Sequence, residues 1–352
     1  MNWTIAKQQA LKLLSQQIET HEIPAEQLAY LLGWLVKAKL GAATYEIIGQ
    51  HSPQVKHVLA GVYYSDLYRE TVQQKKLTEI IEQLNPSETE IVLLKGSAIA
   101  PIAWAPTYLR YKADVDFMVR RKQLQKVHDT LHELAYTYKK PDKIKPFFDD
   151  LPPTNKEGQI EMVSPTIDRV QVEAHTEIFL GHVQRLTNER IEEELWERKV
   201  PAENDQLPDG LWRLSNEDMV LHTMVHTAIN HQFDRNTCRN MLDVLRLDQA
   251  LDIDWDVVYE RVVHMRVKTA VWLFMHCTAS IFGQVPFDDV MPKLAPSWFR
   301  RRLLAKLITP AKVLDLHDIM KSKKRYALLL LLIDRPADMF KVLIRLPWLA
   351  AD

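Results

Sequence analysis

Apolar residues recur with the period of an α-helix through the first 88 residues. Leu11 and Leu14 are three residues apart, and Leu31 and Leu35 are four apart. Side chains at these spacings fall on one face of a helix. No cluster of residues suited to catalysis interrupts the pattern, so we predict that residues 1–88 form a helical N-terminal region without chemistry of its own.

The pattern changes between residues 89 and 180. A continuous apolar run over 91–94 predicts a buried strand, and Lys95 and Gly96 predict the turn that ends it. The order strand, helix, strand, helix, loop, strand then describes a small α/β core. The later elements are predicted from period-two alternation or helical spacing: strands over 114–119 and 169–175, and helices over 97–104 and 124–134.

Helical periodicity returns over residues 181–352. Ser215, followed three residues later by Asp218, resembles a capping box at the start of a helix. Asp254 is predicted to cap another helix. We therefore predict an α+β fold, in which a small mixed-sheet core over 89–180 is embedded in largely α-helical N- and C-terminal regions.

Composition narrows the class of protein. The chain has 352 residues, 47% of them hydrophobic, and a net charge of -1, so no overall basic field favours a nucleic-acid partner. Two cysteines, Cys238 and Cys277, are too few for a disulfide framework and fit a reducing compartment. No signal peptide is evident, and the longest strongly apolar run, 326–333, is too short to span a bilayer. We expect a cytoplasmic protein without a transmembrane segment.

Asp114 and Asp116 are the first candidate catalytic residues. They are separated by one residue on a predicted strand, so both side chains point to the same face. Two carboxylates held side by side repel each other unless a cation lies between them. Mg²⁺ is the expected cation, since it binds a few carboxylate oxygens together with substrate phosphates.

Glu173 offers a third carboxylate on the later strand. It shares a strand face with Gln171 and His175, while Val170 and Val172 point the other way. A third carboxylate on a neighbouring strand would complete a two-metal site, which can activate the attacking oxygen and neutralise a pyrophosphate leaving group.

Lys95, Gly96 and Ser97 form a candidate phosphate-binding turn. Glycine lets the backbone approach a phosphate closely, and backbone N–H groups at the start of the following helix can point at the anion. The Lys95 side chain can reach a triphosphate, and Arg110, four residues before Asp114, is a second candidate phosphate partner.

In this order, the motifs resemble the uncharacterised nucleotidyltransferase family of the polymerase-beta-like superfamily. Members of this family carry three motifs in order: L-K-G, then R-x-x-[GS]-D-[IV]-D, then a strand with an acidic residue two positions before a histidine. The chain shows these as Leu94-Lys95-Gly96, Arg110 to Asp116, and Glu173-Ala174-His175. The resemblance covers roughly residues 90–285, and in the helical part it passes through Glu217, Asp218, His222, His226, Arg239 and Asp243.

The resemblance implies a nucleotidyltransferase that moves a nucleotidyl group from an NTP to a hydroxyl or phosphate acceptor, with Mg²⁺ or Mn²⁺ as cofactor. It also implies roles for named residues. Asp114, Asp116 and Glu173 would be catalytic metal ligands, and Lys95, Gly96, Ser97 and Arg110 would bind the nucleotide. Two positions depart from the pattern: Ala113 stands where Gly or Ser usually precedes the first aspartate, and Thr176 replaces the common Tyr or Trp.

Histidines in the C-terminal region form a second group of interest. His222 and His226 are four residues apart and would share a helix face, with His231 close behind. Such a pair can bind zinc, but Thr223 stands where the H-E-x-x-H motif has glutamate. Because the resemblance passes through this region, we instead expect an acceptor pocket formed by His175, His222, His226 and Asp243.

Two alternatives remain open at this stage. The fold can serve as an inactive nucleotide-binding or partner-binding module, or as a protein adenylyltransferase with a macromolecular acceptor. Three intact carboxylates favour an active enzyme, and the long helical additions favour an unidentified small-molecule or peptide acceptor, as in natural-product modification. The identity of the acceptor, the base of the NTP and the oligomeric state cannot be deduced from the sequence.

Overall fold

The structure is a computed structural model that describes residues 3–17, 25–145, 152–155, 158–178, 189–202, 208–316, 324–335 and 339. Fifteen α-helices are found in these residues: α1 Trp3–Leu14, α2 Ala25–Lys37, α3 Gly41–Ile47, α4 Pro53–Leu84, α5 Lys95–Ala103, α6 Leu124–Glu133, α7 Glu189–Glu197, α8 Asn216–Val225, α9 Thr237–Ala250, α10 Trp255–Met265, α11 Lys268–Phe282, α12 Met291–Leu294, α13 Trp298–Leu307, α14 Pro310–Leu314 and α15 Lys324–Leu332. Seven strands accompany them: β1 Ile91–Leu93, β2 Asp114–Val119, β3 Thr137–Tyr138, β4 Ile160–Val163, β5 Gln171–His175, β6 Val200–Pro201 and β7 Trp212–Arg213. The predicted α+β fold class is confirmed.

The seven strands form one mixed sheet in the order β3-β4-β5-β2-β1-β7-β6. Strand β2 pairs antiparallel with β1 and parallel with β5, and β4 adds to β5 antiparallel. Ile91, Val92 and Leu93 are fully buried, as expected for a central strand whose two faces are both covered. This topology places β2 and β5 side by side, which decides the geometry of the candidate site.

The sheet belongs to a compact unit made of Tyr64–Leu180 and Glu189–Ser215. Within it, α6 packs an apolar stripe of Leu124, Val127 and Leu131, all of them fully buried. The stripe follows the helical spacing seen in the sequence, because residues three and four apart share a helix face. The last two strands, β6 and β7, come from the chain beyond residue 188 and pair with the sheet through β1.

The second compact unit consists of Met1–Tyr63, Gly181–Asn188 and Asn216–Asp352, and its described elements are helical. Helix α10 shows how local sequence sets an element: the Asp254 carboxylate accepts hydrogen bonds from the backbone N–H groups of Asp256 and Val257. The predicted cap at Asp254 is therefore confirmed, and it satisfies two donors that lack partners inside the helix. The helix ends at Met265, and Arg266, which follows it, adopts the left-handed conformation (φ 61°).

Helix α8 begins at Asn216, directly after Ser215, and continues into a π-helical turn, His226–Asn230. Its core positions include Val220, Leu221 and Met224, which are buried. None of the helices in the described ranges has both the length and the apolar character needed to cross a membrane.

Candidate active site

The parallel register of β2 and β5 brings the predicted carboxylates together. Asp116 lies beside Glu173, and Asp114 lies beside Gln171. Because alternate residues of a strand share a face, these side chains and that of His175 project from the same face of the sheet. The Gln171 amide nitrogen bridges the two strands, 2.5 Å from Glu173 Oε1 and 3.5 Å from Asp114 Oδ2.

Asp116 is the most deeply buried of the three carboxylates, at 2% exposure. Its Oδ1 atom accepts hydrogen bonds from Lys95 Nζ at 2.6 Å and from His175 Nε2 at 3.1 Å. The same Lys95 ammonium lies 3.6 Å from Glu173 Oε2. One lysine therefore supplies positive charge to two carboxylates of the site.

Burial and the excess of carboxylates over cationic groups shift the pKa values of all three acidic residues. Burial raises the pKa of Asp114 well above its usual range, and the negative charges of Asp116 and Glu173 raise it further. Burial and the charge of Asp116 likewise raise the pKa of Glu173. Burial also opposes ionisation of Asp116, but the Lys95 ammonium and the His175 hydrogen bond outweigh it and lower the pKa of Asp116.

The carboxylates of this cluster fit a divalent cation. Ligand atoms of Asp116, Glu173 and His175 all lie within 4.8 Å of one another, the only such group found in the described ranges. Burial is the main cause of the raised pKa values of Asp114 and Glu173, and the negative charge of the neighbouring carboxylates adds to it. Crowded carboxylate oxygens beside excess negative charge are what Mg²⁺ and Mn²⁺ bind.

The predicted phosphate turn is the start of helix α5. Lys95 is the first residue of α5 and has a left-handed backbone (φ 48°), so the strand passes into the helix without an intervening loop. The backbone N–H of Leu94 donates to the Asp116 carbonyl at 3.0 Å, and the Asp116 N–H donates to Ser97 Oγ at 3.3 Å. These two bonds tie the start of α5 to β2 and direct the Lys95 side chain towards the carboxylates.

Gly96 is required by its neighbours. A β-carbon at this position would collide with the guanidinium of Arg110 and with the side chain of Lys112. Arg110 is buried, at 5% exposure, so it has little room to move away. The glycine thus allows Arg110 to lie against the start of α5, next to the site.

The residues predicted for an acceptor pocket belong to different compact units. His175 lies in the carboxylate site, whereas His222, His226 and Asp243 belong to the helical unit. There His222 and Asp243 are buried, in α8 and α9. The rings of His222 and His226 have centroids 5.5 Å apart, and those of His226 and His231 are 4.5 Å apart, so the His226 ring packs against both of the others.

Two residues of the site neighbourhood were not singled out from the sequence. Gln159 donates from Nε2 to His175 Nδ1 at 3.0 Å, and Asn155 donates to Gln159 Oε1 at 3.3 Å. Both precede β4, a four-residue strand that carries no clear period-two signal. No sequence pattern connects position 159 with position 175, because the contact depends on the pairing of β4 with β5.

Comparison with protein families identifies a match over most of the chain. A family model described as "Uncharacterised nucleotidyltransferase" matches residues 8–283, well over half of the chain. A search of curated proteins gave no match. The matched span includes every residue of the carboxylate site.

Proposed function

The chain belongs to the uncharacterised nucleotidyltransferase family, and from this membership we propose that it transfers a nucleotidyl group from an NTP to a hydroxyl or phosphate oxygen in a reaction that depends on Mg²⁺ or Mn²⁺. The enzyme class, a nucleotidyltransferase, follows from the family. The metal, the donor and the type of acceptor are inferred from the chemistry of the site.

The observation that carries the proposal is the register of β2 and β5. It gathers Asp114, Asp116 and Glu173 on one sheet face, with Lys95 in contact with two of them. Holding like charges together costs stability unless a cation compensates for them. A module that only binds a partner has no need of this arrangement, so the site favours an active enzyme over an inactive one.

Each residue has a role in this proposal. Asp114, Asp116 and Glu173 would hold the metal, which when bound would neutralise developing charge on the attacking and leaving oxygens. Lys95 and Arg110 would face the triphosphate, and the start of α5 would position it. The acceptor oxygen forms a bond to the α-phosphorus while the bond to the bridging oxygen breaks, and pyrophosphate leaves. The protein contributes mainly positioning and charge stabilisation.

The acceptor is proposed to be a small molecule or a peptide, as in natural-product modification. We also propose a cytoplasmic location, which is supported by the two buried free thiols, Cys238 and Cys277, because free thiols fit a reducing compartment. Neither point affects the chemistry proposed for the carboxylate site.

The test is a thermal-shift screen of the four NTPs with Mg²⁺ or Mn²⁺. We expect a shift that needs both metal and nucleotide and that is lost in the double variant Asp114→Asn, Asp116→Asn. Glu88→Gln is the matched control, since Glu88 is a carboxylate of the same unit paired with Lys126 at the surface. A metal-dependent shift that survives in the double variant would disprove the site assignment.

Acceptors are then screened by pyrophosphate release with the NTP that gives the largest shift. A small-molecule or peptide product supports the proposed acceptor class. A labelled protein product would identify a protein adenylyltransferase instead. Nucleotide binding without turnover on any acceptor would favour the inactive module.

A further inference from the structure

Four side chains form a continuous chain of hydrogen bonds that ends at the candidate metal site. Asn155 Nδ2 lies 3.3 Å from Gln159 Oε1, Gln159 Nε2 lies 3.0 Å from His175 Nδ1, and His175 Nε2 lies 3.1 Å from Asp116 Oδ1. Gln159, His175 and Asp116 are 9%, 3% and 2% exposed. Buried polar groups of this kind need defined partners, so the direction of each bond matters.

The donor and acceptor of each hydrogen bond are fixed starting from Asn155, the residue of this series farthest from Asp116. The backbone N–H of Gln159 lies 3.1 Å from Asn155 Oδ1, and an N–H can only donate, so this atom of Asn155 must be the oxygen. On its other side, Asn155 lies 2.9 Å from a carboxylate oxygen of Glu161, which accepts, so that atom must be the amide nitrogen. Two independent neighbours therefore set the orientation of the Asn155 amide.

The orientation of the Asn155 amide sets that of Gln159, and Gln159 in turn sets the tautomer of His175. The Asn155 nitrogen donates to Gln159, so Gln159 turns its oxygen to Asn155 and its nitrogen to His175. His175 Nδ1 must then accept, and in a neutral imidazole the proton is on the other nitrogen. His175 Nε2 consequently carries a hydrogen and donates it to Asp116 Oδ1.

We propose that Asn155 and Gln159 fix the Nε2–H tautomer of His175, which makes His175 a positioning residue for Asp116 and prevents it from acting as a metal ligand. The inference rests on the metal site of the proposed function. His175 Nε2 is the ring nitrogen near the carboxylates, 3.1 Å from Asp116 Oδ1 and 3.9 Å from Glu173 Oε2, and while it carries a hydrogen it has no lone pair in the ring plane for a cation.

The consequence for the reaction is metal selectivity. Lys95 and His175 both donate to Oδ1 of Asp116, which leaves Oδ2 free of these two donors to face a cation. A site with carboxylate oxygens alone suits Mg²⁺ or Mn²⁺, whereas an added imidazole nitrogen favours Zn²⁺. Outer partners of this kind orient the atoms that bind a metal without touching it.

The tautomer is measured first, in the metal-free protein, by ¹⁵N NMR of the histidine side chains. The His175 signal is assigned by its loss in His175→Gln. We expect the Nε2–H form in the wild type and a change to a protonated Nδ1 in Gln159→Glu, whose carboxylate must accept. Asn155→Ala, which releases the Gln159 amide, should give a mixture of tautomers. Gln125→Glu, an exposed position of α6, is the matched control and should leave His175 unchanged.

The ligand set is measured second, by pulsed EPR of Mn²⁺ bound to the same variants without nucleotide. We expect no directly coordinated nitrogen in the wild type and a coordinated nitrogen in Gln159→Glu. The preference for Zn²⁺ over Mg²⁺ should rise on the order of tenfold in that variant, the size of effect typical of partners behind a metal ligand.

The outcomes separate the two proposals. An Nδ1–H tautomer in the metal-free wild type, or a nitrogen coupling in the wild type that His175→Gln abolishes, overturns the inference and leaves the nucleotidyl-transfer proposal intact. Failure of the wild type to bind Mn²⁺ contradicts the proposed metal, while the NMR result still decides the tautomer. If Gln159→Glu does not fold, the wild-type tautomer and the Asn155→Ala mixture decide the question.

Discussion

Lys95 Nζ lies 2.6 Å from Oδ1 of Asp116, so an ammonium group contacts the most buried carboxylate of the site. The lysine side chain is 21% exposed and that of Asp116 is 3% exposed, which makes this a largely desolvated ion pair. A divalent cation bound to the same carboxylates would compete with Lys95. We therefore propose that the lysine is the internal counter-charge of the metal-free protein and that metal binding would make it available to a triphosphate.

Replacement of this lysine tests that relationship. Lys95→Met should destabilise the metal-free protein by about 3 kcal/mol, because removing one partner leaves a buried charge uncompensated. Mn²⁺ should bind the variant more tightly than the wild type when no nucleotide is present, since the competing ammonium is gone. Urea unfolding and Mn²⁺ titration measure the two effects.

The matched control for that substitution is Lys126→Met. Lys126 pairs with Glu88 at 2.7 Å, but both side chains are well exposed, so the change should cost under about 1 kcal/mol. Equal losses of stability in the two lysine variants, or unchanged Mn²⁺ affinity in Lys95→Met, would contradict the role of Lys95 as counter-charge.

Neutralising either aspartate of β2 should change the stability of the metal-free protein, but in opposite directions for the two residues. Asp114→Asn removes a carboxylate whose pKa is raised by burial and by the neighbouring carboxylates, so the metal-free protein should become more stable at neutral pH. Asp116→Asn removes the partner of Lys95 and should destabilise it. Both variants should lose the metal-dependent thermal shift. The midpoint of thermal unfolding, with and without Mg²⁺, measures both effects. If Asp114→Asn destabilises the metal-free protein as Asp116→Asn does, Asp114 is not repelled by the neighbouring carboxylates.

The arrangement of these carboxylates was largely predictable, because it depends on local alternation. Strand β2 covers residues 114–119, as the period-two pattern predicted, and a strand places Asp114 and Asp116 on one face whatever its neighbours. Alternation also placed Glu173 on a second strand, but the pairing of that strand with β2 is a long-range contact that the structure supplies.

Other features were not predictable, since they depend on distant contacts or on very short elements. Strands β3, β6 and β7 have two residues each, too few for any periodicity. Lys95 and Gly96, predicted as a turn before the helix, are already part of α5, and Lys95 has a left-handed backbone conformation that the sequence does not signal. The Gln159–His175 contact likewise depends on how β4 pairs with β5.

Metal binding should release protons in a pH-dependent way. The raised pKa values of Asp114 and Glu173 mean that the folded, metal-free protein binds these protons more tightly than the unfolded chain does. The contribution of the two groups to the free energy of unfolding therefore falls as pH rises from their unfolded to their folded pKa values. A metal needs both carboxylates ionised, so its affinity should rise over the same interval.

Calorimetry of Mg²⁺ binding in buffers with different ionisation enthalpies measures the released protons directly. We expect release just above the ordinary carboxyl pKa and less release as pH increases further. Asp114→Asn should release fewer protons than the wild type. Proton uptake on Mg²⁺ binding would show that the sign of these shifts is wrong.

Gly96→Ala tests whether the close approach of Arg110 to α5 matters. The added β-carbon would meet the Arg110 guanidinium and the Lys112 side chain, and the buried Arg110 has little space in which to move. We expect a loss of about 1–3 kcal/mol in the free energy of unfolding, the usual cost of overpacking. The thermal shift produced by NTP with metal should fall more than this loss alone explains, since Arg110 would be displaced from the triphosphate.

Gly61→Ala is the matched control for this substitution. Gly61 lies within α4 with nothing inside 4 Å of the added carbon, so alanine there should stabilise the helix by about 0.5–1 kcal/mol and leave nucleotide binding unchanged. If Gly96→Ala retains the wild-type stability and nucleotide-dependent shift, the contact between Arg110 and the start of α5 has no part in binding the donor.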